Sequence, residues 1–341
     1  MYQRPPTLPT TNGHRSTKTT RGDQRGPGSV SASLPAQHLI YPVRESARVH
    51  YAPAWLGLGL AATVMGMLGL QRYGRPAAAS LGALGLAGMV HMMVAEPGRP
   101  TLESVTLCLP TLPAGLDGLR IGQISDSHLG MPHAARNLAW AVAQMRRAQP
   151  DLVVLTGDLV SHRRAISRLP ALLRGLRAPL GVYAVPGNHD YWEGLADQRA
   201  ALARADIPLL LNEHRRLRWN GADLWLIGVD DIWAGRPDLA AALEGVPADA
   251  FTLLLCHAPD AADEAARHGI AVQLSGHTHG GHLRLPLLGP FSRPRFGLRY
   301  VMGSYQVGAM ALYVSRGLGG LPLRLFCRPE ATIFTLRCDR G

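Results

Sequence analysis

The chain has 341 residues, of which 47% are hydrophobic and only 17% are charged. This length can bury one large core or two smaller ones, and so low a charged fraction is unusual for a wholly soluble protein. The formal net charge of +11 favours phosphate-bearing or anionic-membrane partners over mimicry of an acidic protein. The four cysteines show neither CxxC spacing nor the density of a disulfide framework, which is compatible with a reducing compartment.

The N-terminal region consists of a polar tail and two apolar runs. Residues 1–50 are rich in Pro, Ser, Thr, Gly and Arg and lack periodic apolar positions, which predicts a disordered basic tail. Residues 51–70 and 76–95 carry no formal charge, and at about 1.5 Å per residue each run could cross about 30 Å of hydrocarbon. We therefore expect residues 51–95 to form a transmembrane helical hairpin. The alternative is a buried helical pair, which the Gly and Ala content without a polar face disfavours.

Arginines beside the two runs give little information on orientation. Arg44, Arg48 and Arg99 lie outside the pair, whereas Arg72 and Arg75 lie in the link between the runs. The long basic tail favours a cytoplasmic N-terminus, and hence a cytoplasmic C-terminal domain. If the first run were instead part of a cleaved signal sequence, that domain would lie outside the cytoplasm.

From about residue 107 to residue 341, short apolar runs alternate with helical patterns. Strands are predicted at 119–124, 151–155, 181–185, 251–256 and 270–274, and helices at 136–148, 161–177, 192–205 and 260–268. The pair Asn220-Gly221 between two alternating arms predicts a type I′ hairpin turn. The alternation as a whole predicts a layered α/β domain.

A polar cluster follows each of five predicted strands. In chain order, the clusters are Asp126 with His128, Asp158, Asn188 with His189 and Asp190, His257, and His277 with His279. Any one of them alone could be a turn or a hydrogen-bonded core histidine. Because ligand sites in layered α/β folds form beyond the carboxyl ends of strands, we expect the five clusters to meet.

The residue types of these clusters indicate a metal centre. Carboxylates, an amide oxygen and neutral imidazoles suit two divalent cations that share one carboxylate. Such a pair of cations can clamp the entering and leaving oxygens of a phosphoryl group. Gly157, Gly187 and Gly276 each precede a cluster, where we expect them to let the backbone turn without crowding the ions.

The motifs SDSHLG, LTGDLV, VPGNHDYW, CHAPD and SGHTHGGH together resemble the calcineurin-like metallophosphoesterase superfamily. The resemblance covers roughly residues 107–341 and implies a four-layer α/β/β/α sandwich, here preceded by the predicted hairpin. It implies the following ligands: Asp126, His128 and His279 for one metal, Asp158 as the bridge, and Asn188, His257 and His277 for the other. It also implies that His189 is catalytic and lies near the phosphate, with Asp190 orienting it. Manganese is the expected ion, with Fe, Zn or Mg as alternatives.

Within the superfamily, the motifs are similar to a membrane-tethered bacterial branch of phosphodiesterases and UDP-2,3-diacylglucosamine pyrophosphatases of lipid A synthesis. This resemblance implies a lipid-linked phosphoester substrate, a site on the cytoplasmic side of the inner membrane and no nucleic-acid partner. His282 stands where that branch more often has Gln, and His282, Arg284 and Arg295 are the expected substrate contacts. An exported phosphodiesterase of other esters and a non-catalytic scaffold remain alternatives, and the oligomeric state has no sequence signal.

Overall fold

The computed structural model describes residues 52–338, so the predicted disordered tail lies outside the described residues. The helices are α1 (Ala52–Val90), α2 (Ala134–Ala148), α3 (Leu169–Leu173), α4 (Asn188–Glu193), α5 (Leu195–Ala203), α6 (Leu239–Ala242) and α7 (Ala262–Arg267). The strands are β1 (Thr101–Leu109), β2 (Arg120–Ile124), β3 (Leu152–Thr156), β4 (Val182–Val185), β5 (Glu213–Trp219), β6 (Ala222–Gly228), β7 (Thr252–Leu255), β8 (Val272–Ser275), β9 (Arg284–Leu285), β10 (Gly289–Pro290), β11 (Gly303–Val307), β12 (Met310–Val314) and β13 (Glu330–Cys338).

Two mixed sheets contain most of these strands. The first sheet has the order β1-β13-β2-β3-β4, in which only the pairing of β13 with β2 is antiparallel. The second has the order β11-β12-β8-β7-β6-β5, with antiparallel pairs at both edges and parallel strands in the centre. Both sheets therefore direct the carboxyl ends of several parallel strands to one edge, where ligand sites form.

Three apolar cores show that the sheets and helices form an α/β/β/α sandwich. One core joins the outer face of the first sheet to α2, α3 and α5, and another joins the second sheet to α6 and α7. The central core lies between the sheets and contains Leu226, Leu253 and Phe334. Strand β3 illustrates why apolar runs form the centre of a sheet, because its run of apolar residues is buried on both faces.

The predicted helices were placed correctly but were too long in two cases. Within the predicted helix 161–177, a 3₁₀ turn at Arg163–Arg168 precedes the short α3, which places Pro170 in the first helical turn. Gly194, with φ of 116°, divides the predicted helix 192–205 into α4 and α5. The first sheet also begins earlier than the predicted domain boundary at residue 107, because β1 starts at Thr101 and pairs with β13.

The helix α1 precedes the sandwich and is interrupted at Gly74, which has φ of 78° and lies in the predicted link. Within residues 52–338, no helix combines the length and the hydropathy needed to cross a membrane. The structure therefore does not show the predicted transmembrane hairpin. A π-helical turn at His91–Ala95 follows α1 and ends at Glu96.

Hydrogen bonds attach the end of this helical region to the sandwich. The backbone N–H of Arg324 donates to the carbonyl of Met92 at 2.8 Å. The buried carboxylate of Glu96 accepts a hydrogen bond from the N–H of Cys327 at 2.6 Å and lies 3.2 Å from the ring of His91. The segment around Arg324 is thus held directly by the residues that follow α1.

Replacing Phe334 with Ala should lower the free energy of unfolding by about 3 to 5 kcal/mol, because a large buried side chain leaves a cavity between the sheets. The ring is 0% exposed and packs edge-on against Tyr313 at 4.9 Å. Denaturant unfolding of the full chain measures the change. Phe291→Ala is the matched control, since Phe291 is 69% exposed. Equal losses in the two variants would contradict this account of the core.

Candidate metal centre

The five predicted polar clusters lie at the carboxyl ends of parallel strands in both sheets. Strands β2, β3 and β4 of the first sheet lead into the clusters that begin at Asp126, Asp158 and Asn188. Strands β7 and β8 of the second sheet lead into His257 and His277. The site is therefore built across the sandwich, and neither sheet supplies it alone.

The backbone turns sharply at most of the predicted ligands. The residues with left-handed backbone are Asp126, His128, Asp158, His277 and His279, with φ values of 51°, 46°, 52°, 73° and 51°. Left-handed backbone is strained for residues other than glycine and clusters at functional sites, where the surrounding structure holds it. These positions are thus shaped to aim side chains into the site.

One half of the site joins Asp126, His128 and His279. The Nε2 atoms of the two imidazoles lie 3.1 Å apart. The carboxylate Oδ1 of Asp126 lies 3.3 Å from Nε2 of His279 and 3.8 Å from Nε2 of His128. Three potential ligand atoms therefore surround one small space.

The other half joins Asp158, His257 and His277. Oδ2 of Asp158 lies 3.2 Å from Nε2 of His257, which in turn lies 3.2 Å from Nδ1 of His277. The same Oδ2 lies 3.6 Å from Nε2 of His128 in the first half. The Asp158 carboxylate thus lies close to both halves, and its role as a bridging ligand stays a prediction.

Hydrogen bonds on the far side of two rings fix which nitrogen atoms face the site. Nδ1 of His257 must donate to the carbonyl of Thr156 at 2.7 Å, and Nε2 of His277 must donate to the carbonyl of Arg295 at 2.6 Å. In the neutral rings, the remaining nitrogens are acceptors that face each other and the Asp158 carboxylate. Such a group of acceptors needs a positive charge between them, and backbone carbonyls commonly orient metal-binding imidazoles in this way.

Asn188 offers a further oxygen ligand. Its Oδ1 atom is buried and has no hydrogen-bond partner among the described residues, an arrangement that costs free energy unless a cation or water is bound. The residue after Asn188 adjoins Asp158, since the N–H of His189 donates to Oδ1 of Asp158 at 2.8 Å. With this oxygen, the donor set of two carboxylates, an amide and four imidazoles fits two divalent cations.

The pKa values show that the site attracts positive charge. Burial would raise the pKa of Asp158, but the imidazoles of His257 and His189 outweigh burial and hold that pKa well below its usual range. Burial would lower the pKa of His257, but the Asp158 carboxylate outweighs burial and raises it well above the ordinary value. Burial and the neighbouring His257 lower the pKa of His277 to about 4, so His277 is neutral at pH 7.

The two predicted catalytic residues occupy different surroundings. Burial lowers the pKa of His189 to about 4, and its ring lies edge-on to His128 and Trp192 at 4.7 Å in both cases. The Asp190 carboxylate accepts hydrogen bonds from the N–H groups of Leu159 and Gly187 and from the Gln198 side chain. These bonds tie the loops after β3 and β4 together. No direct contact of the Asp190 and His189 side chains is among those described, and the orienting role of Asp190 stays a prediction.

Of the three predicted substrate contacts, His282 and Arg284 lie beside the first half of the site, whereas Arg295 adjoins the second half, because its carbonyl accepts from His277. The ring of His282 stacks on His279 with 4.6 Å between centroids, and its Nδ1 is buried without a partner among the described residues. Arg284 donates to the carbonyl of Gly280 at 3.2 Å, and the Arg295 guanidinium lies 4.7 Å from the centre of the Phe296 ring. Their contact with substrate stays a prediction.

Residues 119–281 match the family of calcineurin-like phosphoesterases. The uncharacterized metallophosphoesterase YkuE of Bacillus subtilis (strain 168) is 35% identical over 275 residues, which cover 78% of this chain and 94% of the relative. Phosphodiesterase YaeI of Escherichia coli (strain K12) is 30% identical over 276 residues, or 79% of this chain and 100% of the relative. The chain belongs to the calcineurin-like phosphoesterases. A transmembrane protein with metallophosphoesterase domain from Bos taurus is 35% identical over 77% of this chain and 62% of the bovine protein.

Membership of this family confirms the predicted superfamily and makes the protein a metal-dependent phosphoester hydrolase. Within the described part of the chain, the groups that could hold metal ions fall into three overlapping sets, all buried except for the half-buried His189: Asp126 with His128 and His279, His128 with Asp158 and His189, and Asp158 with His257 and His277. All are members of the predicted clusters. Which ion they bind stays a prediction.

The sequence analysis missed an acidic pair beside the site of this phosphoesterase. Asp230 and Asp231 follow β6 by the same rule that located the other clusters. The Asp231 carboxylate is buried, accepts hydrogen bonds from the N–H groups of Trp233 and Ala234, and has its pKa raised to about 6, mainly by burial. Its bonds hold Trp233, whose ring lies edge-on to His277 at 5.8 Å.

A buried arginine was also missed. The guanidinium of Arg324 donates to the carbonyls of Cys327 and Gly319 at 3.1 and 2.7 Å, and its Nη2 lies 3.5 Å from Nδ1 of His279. Burial lowers the pKa of His279 well below its ordinary value, and His282 and Arg324 contribute in the same direction. No sequence motif identifies Arg324 as part of the site, because the tertiary structure brings it close to His279.

The glycines before the clusters are needed mainly because a side chain there would collide with neighbouring atoms of the site. Of Gly157, Gly187 and Gly276, only Gly157 has a left-handed backbone, with φ of 86°. A Cβ at Gly276 would lie 2.1 Å from Oδ2 of Asp126, and one at Gly187 would lie 2.2 Å from Oδ1 of Asp158. The expectation that all three allow sharp turns therefore holds for Gly157, while the other two are needed for close approach.

Replacing Gly187 with Ala should reduce bound metal and phosphodiester hydrolysis by about 10- to 100-fold, because the added methyl group displaces the shared carboxylate. The φ of Gly187 is −115°, which any residue adopts, so the effect comes from crowding alone. Metal analysis and aryl phosphodiester turnover measure it. Gly85→Ala is the control, since a Cβ there meets nothing within 4 Å. Full metal content in both variants would contradict the argument.

Proposed function

We propose that this calcineurin-like phosphoesterase hydrolyses phosphodiester or pyrophosphate bonds with two divalent cations bound at the centre described above. The observation that carries the proposal is the convergence of potential metal-ligand atoms on both sides of Asp158. Asp126, His128 and His279 would hold one ion, and Asn188, His257 and His277 the other. The ions would polarise the phosphoryl oxygens and stabilise charge that develops on them, and manganese is our first expectation.

The protein's own groups would orient the substrate and move protons. Because its pKa is lowered to about 4, His189 is neutral at pH 7 and can donate or accept a hydrogen bond at a phosphoryl or leaving-group oxygen. Asp190 would keep the N–H of His189 directed at Asp158 through the loop bonds that its carboxylate makes. His189 is thus our candidate catalytic residue and Asp190 a positioning residue.

Replacing Asp158 with Ala should lower aryl phosphodiester turnover by about a thousandfold or more, which corresponds to about 4 kcal/mol of transition-state stabilisation. The reason is that one change removes a ligand from both halves of the centre. The assay is steady-state turnover of an aryl phosphodiester with added Mn²⁺, beside metal analysis and thermal unfolding.

Asp197→Ala is the matched control, because Asp197 forms a largely exposed ion pair with Arg163 and should have little effect. Asp158→Ala should still unfold cooperatively. Robust metal-dependent turnover in the Asp158→Ala variant would refute the assignment of the shared carboxylate.

The finer proposal concerns the substrate and the location of the protein. We propose a lipid-linked phosphoester, with UDP-2,3-diacylglucosamine cleaved to UMP and lipid X as the specific candidate. Support comes from the phosphodiesterase relative, from arginines such as Arg284 and Arg295 beside the centre, and from the two uncharged runs at 51–70 and 76–95. On the same grounds, and because the bovine relative is named a transmembrane protein, we propose a site at the cytoplasmic face of the bacterial inner membrane.

The substrate proposal predicts a clear preference for the lipid nucleotide. The full chain in detergent with Mn²⁺ should release UMP from synthetic UDP-diacylglucosamine far faster than it cleaves a simple aryl phosphodiester. Asp158→Ala should abolish both reactions. Turnover of the aryl ester alone would keep the metal chemistry and exclude this substrate, leaving a phosphodiesterase of other esters.

A further inference from the structure

A short hairpin after the metal centre exposes an unusual amount of apolar surface. The ribbon of β9 and β10 has Leu287 and Leu288 at its tip, with exposures of 106% and 78%, and Phe291 follows at 69%. Phe326, from a neighbouring segment, is 63% exposed and lines the same depression as Leu287. We call these four residues the apolar tip. Side chains this large are rarely grouped on a surface without a partner.

Phe326 lies beside the hairpin because the segment that contains it pairs with the hairpin. The N–H of Arg284 donates to the carbonyl of Leu325 at 2.9 Å, and the N–H of Leu325 donates to the carbonyl of His282 at 3.0 Å. A shallow depression of about 400 Å³ is lined by residues of both segments: Arg284, Leu285, Pro286, Leu287, Gly289 and Phe326. Leu287 of the hairpin and Phe326 of the neighbouring segment therefore belong to one surface.

The backbone is strained where it presents two of these side chains. Leu287 has φ of 71° and Phe326 has φ of 51°, and the left-handed region is unfavourable for bulky residues. Packing inside the protein does not compensate for this strain, because both side chains are exposed. Strain held in this way is typical of positions that contact a ligand or partner.

The charges around the apolar tip indicate the kind of partner. Residues 282–299 contain four arginines, Arg284, Arg293, Arg295 and Arg299, and no acidic residue. The acidic groups that reach this stretch come from the region of α7, where Asp263 pairs with Arg299 and Asp260 accepts from the N–H of Leu298. Exposed leucine and phenylalanine side chains in a stretch of chain that is rich in arginine match the apolar interior and anionic headgroups of a bilayer.

We propose that the apolar tip inserts into an anionic lipid bilayer and holds the metal centre against the headgroups. The hairpin that bears the tip begins at Arg284, soon after the loop of His277 and His279, and the Arg284 guanidinium donates to the carbonyl of Gly280 in that loop. Docking would therefore bring phosphate groups of the membrane to the entrance of the site. Only this consequence rests on the proposed function, since insertion itself does not require hydrolysis.

Hydrogen exchange of the full chain, with and without vesicles, tests the proposal. Backbone amides of residues 283–291 should exchange at least about tenfold more slowly with vesicles that contain phosphatidylglycerol, because insertion removes them from water. Phosphatidylcholine vesicles should protect them less, because the arginines then lack anionic headgroups. The type I′ turn at Asn220-Gly221, on another hairpin, serves as the internal reference and should not change.

A double variant, Leu287→Glu with Leu288→Glu, should lose most of this protection and keep the aryl phosphodiester turnover of the wild-type protein. Ala200→Glu with Ala203→Glu on α5 adds the same charges at exposed positions and should behave like wild type in both assays. If the double variant fails to fold, which thermal unfolding shows, the milder Leu288→Ser tests the same point.

Several results would overturn the proposal. These are unchanged exchange of 283–291 with anionic vesicles, protection that survives in the glutamate variant, and protection without lipid that grows with protein concentration. The last would indicate a second copy of the chain as the partner. In the wild-type protein, absence of lipid protection with intact turnover would refute docking alone, whereas intact protection with no turnover in any assay would refute the proposed hydrolysis.

Discussion

The shared carboxylate of Asp158 is the group on which the site depends. One of its oxygens accepts from the N–H of His189, and the other faces His257 and His128. Asp158 follows a strand of the first sheet and His257 follows a strand of the second, so their contact joins the two halves of the sandwich. A carboxylate that is 2% exposed is stable only when positive charge lies beside it. The need for that charge is what makes this edge of the sandwich a metal centre.

Close approach of the loops follows from this requirement. The ligand atoms must lie within a few ångströms of one another, yet they come from five strand ends in two sheets. Gly276 and Gly187 remove the Cβ atoms that would touch Asp126 and Asp158, and the ligands themselves accept left-handed backbone. Both features cost stability. The three apolar cores supply the stability that allows the loops to be held this way.

The sequence predicted the centre better than its surroundings. A buried strand followed by Asp, Asn or His is a local pattern, and the carboxyl ends of parallel strands meet at one edge whatever the details of packing. The same rule applied to β6 would have found Asp231. Helix lengths were less predictable, because Pro170 lies in the first turn of a helix and Gly194 divides the chain into two helices, and neither effect follows from the residue type alone. The buried contacts of Arg324 and Glu96 have no local signal, since their partners are distant in the chain.

The contacts of Arg324 connect three parts of the molecule that are distant in sequence: the turn after α1, the metal centre and the β9–β10 hairpin. Its N–H bonds to Met92 in the turn after α1, its guanidinium lies beside His279, and the next residue pairs with the hairpin that bears the apolar tip. Exposed leucines of α1, such as Leu84 and Leu86, therefore lead into a chain segment that is hydrogen-bonded to that hairpin. Because the connecting bonds are short and several are buried, the position of the hairpin relative to His279 is fixed by the fold. When the apolar tip binds a surface, the metal centre would therefore lie at a fixed distance from that surface, and no further conformational change would be needed.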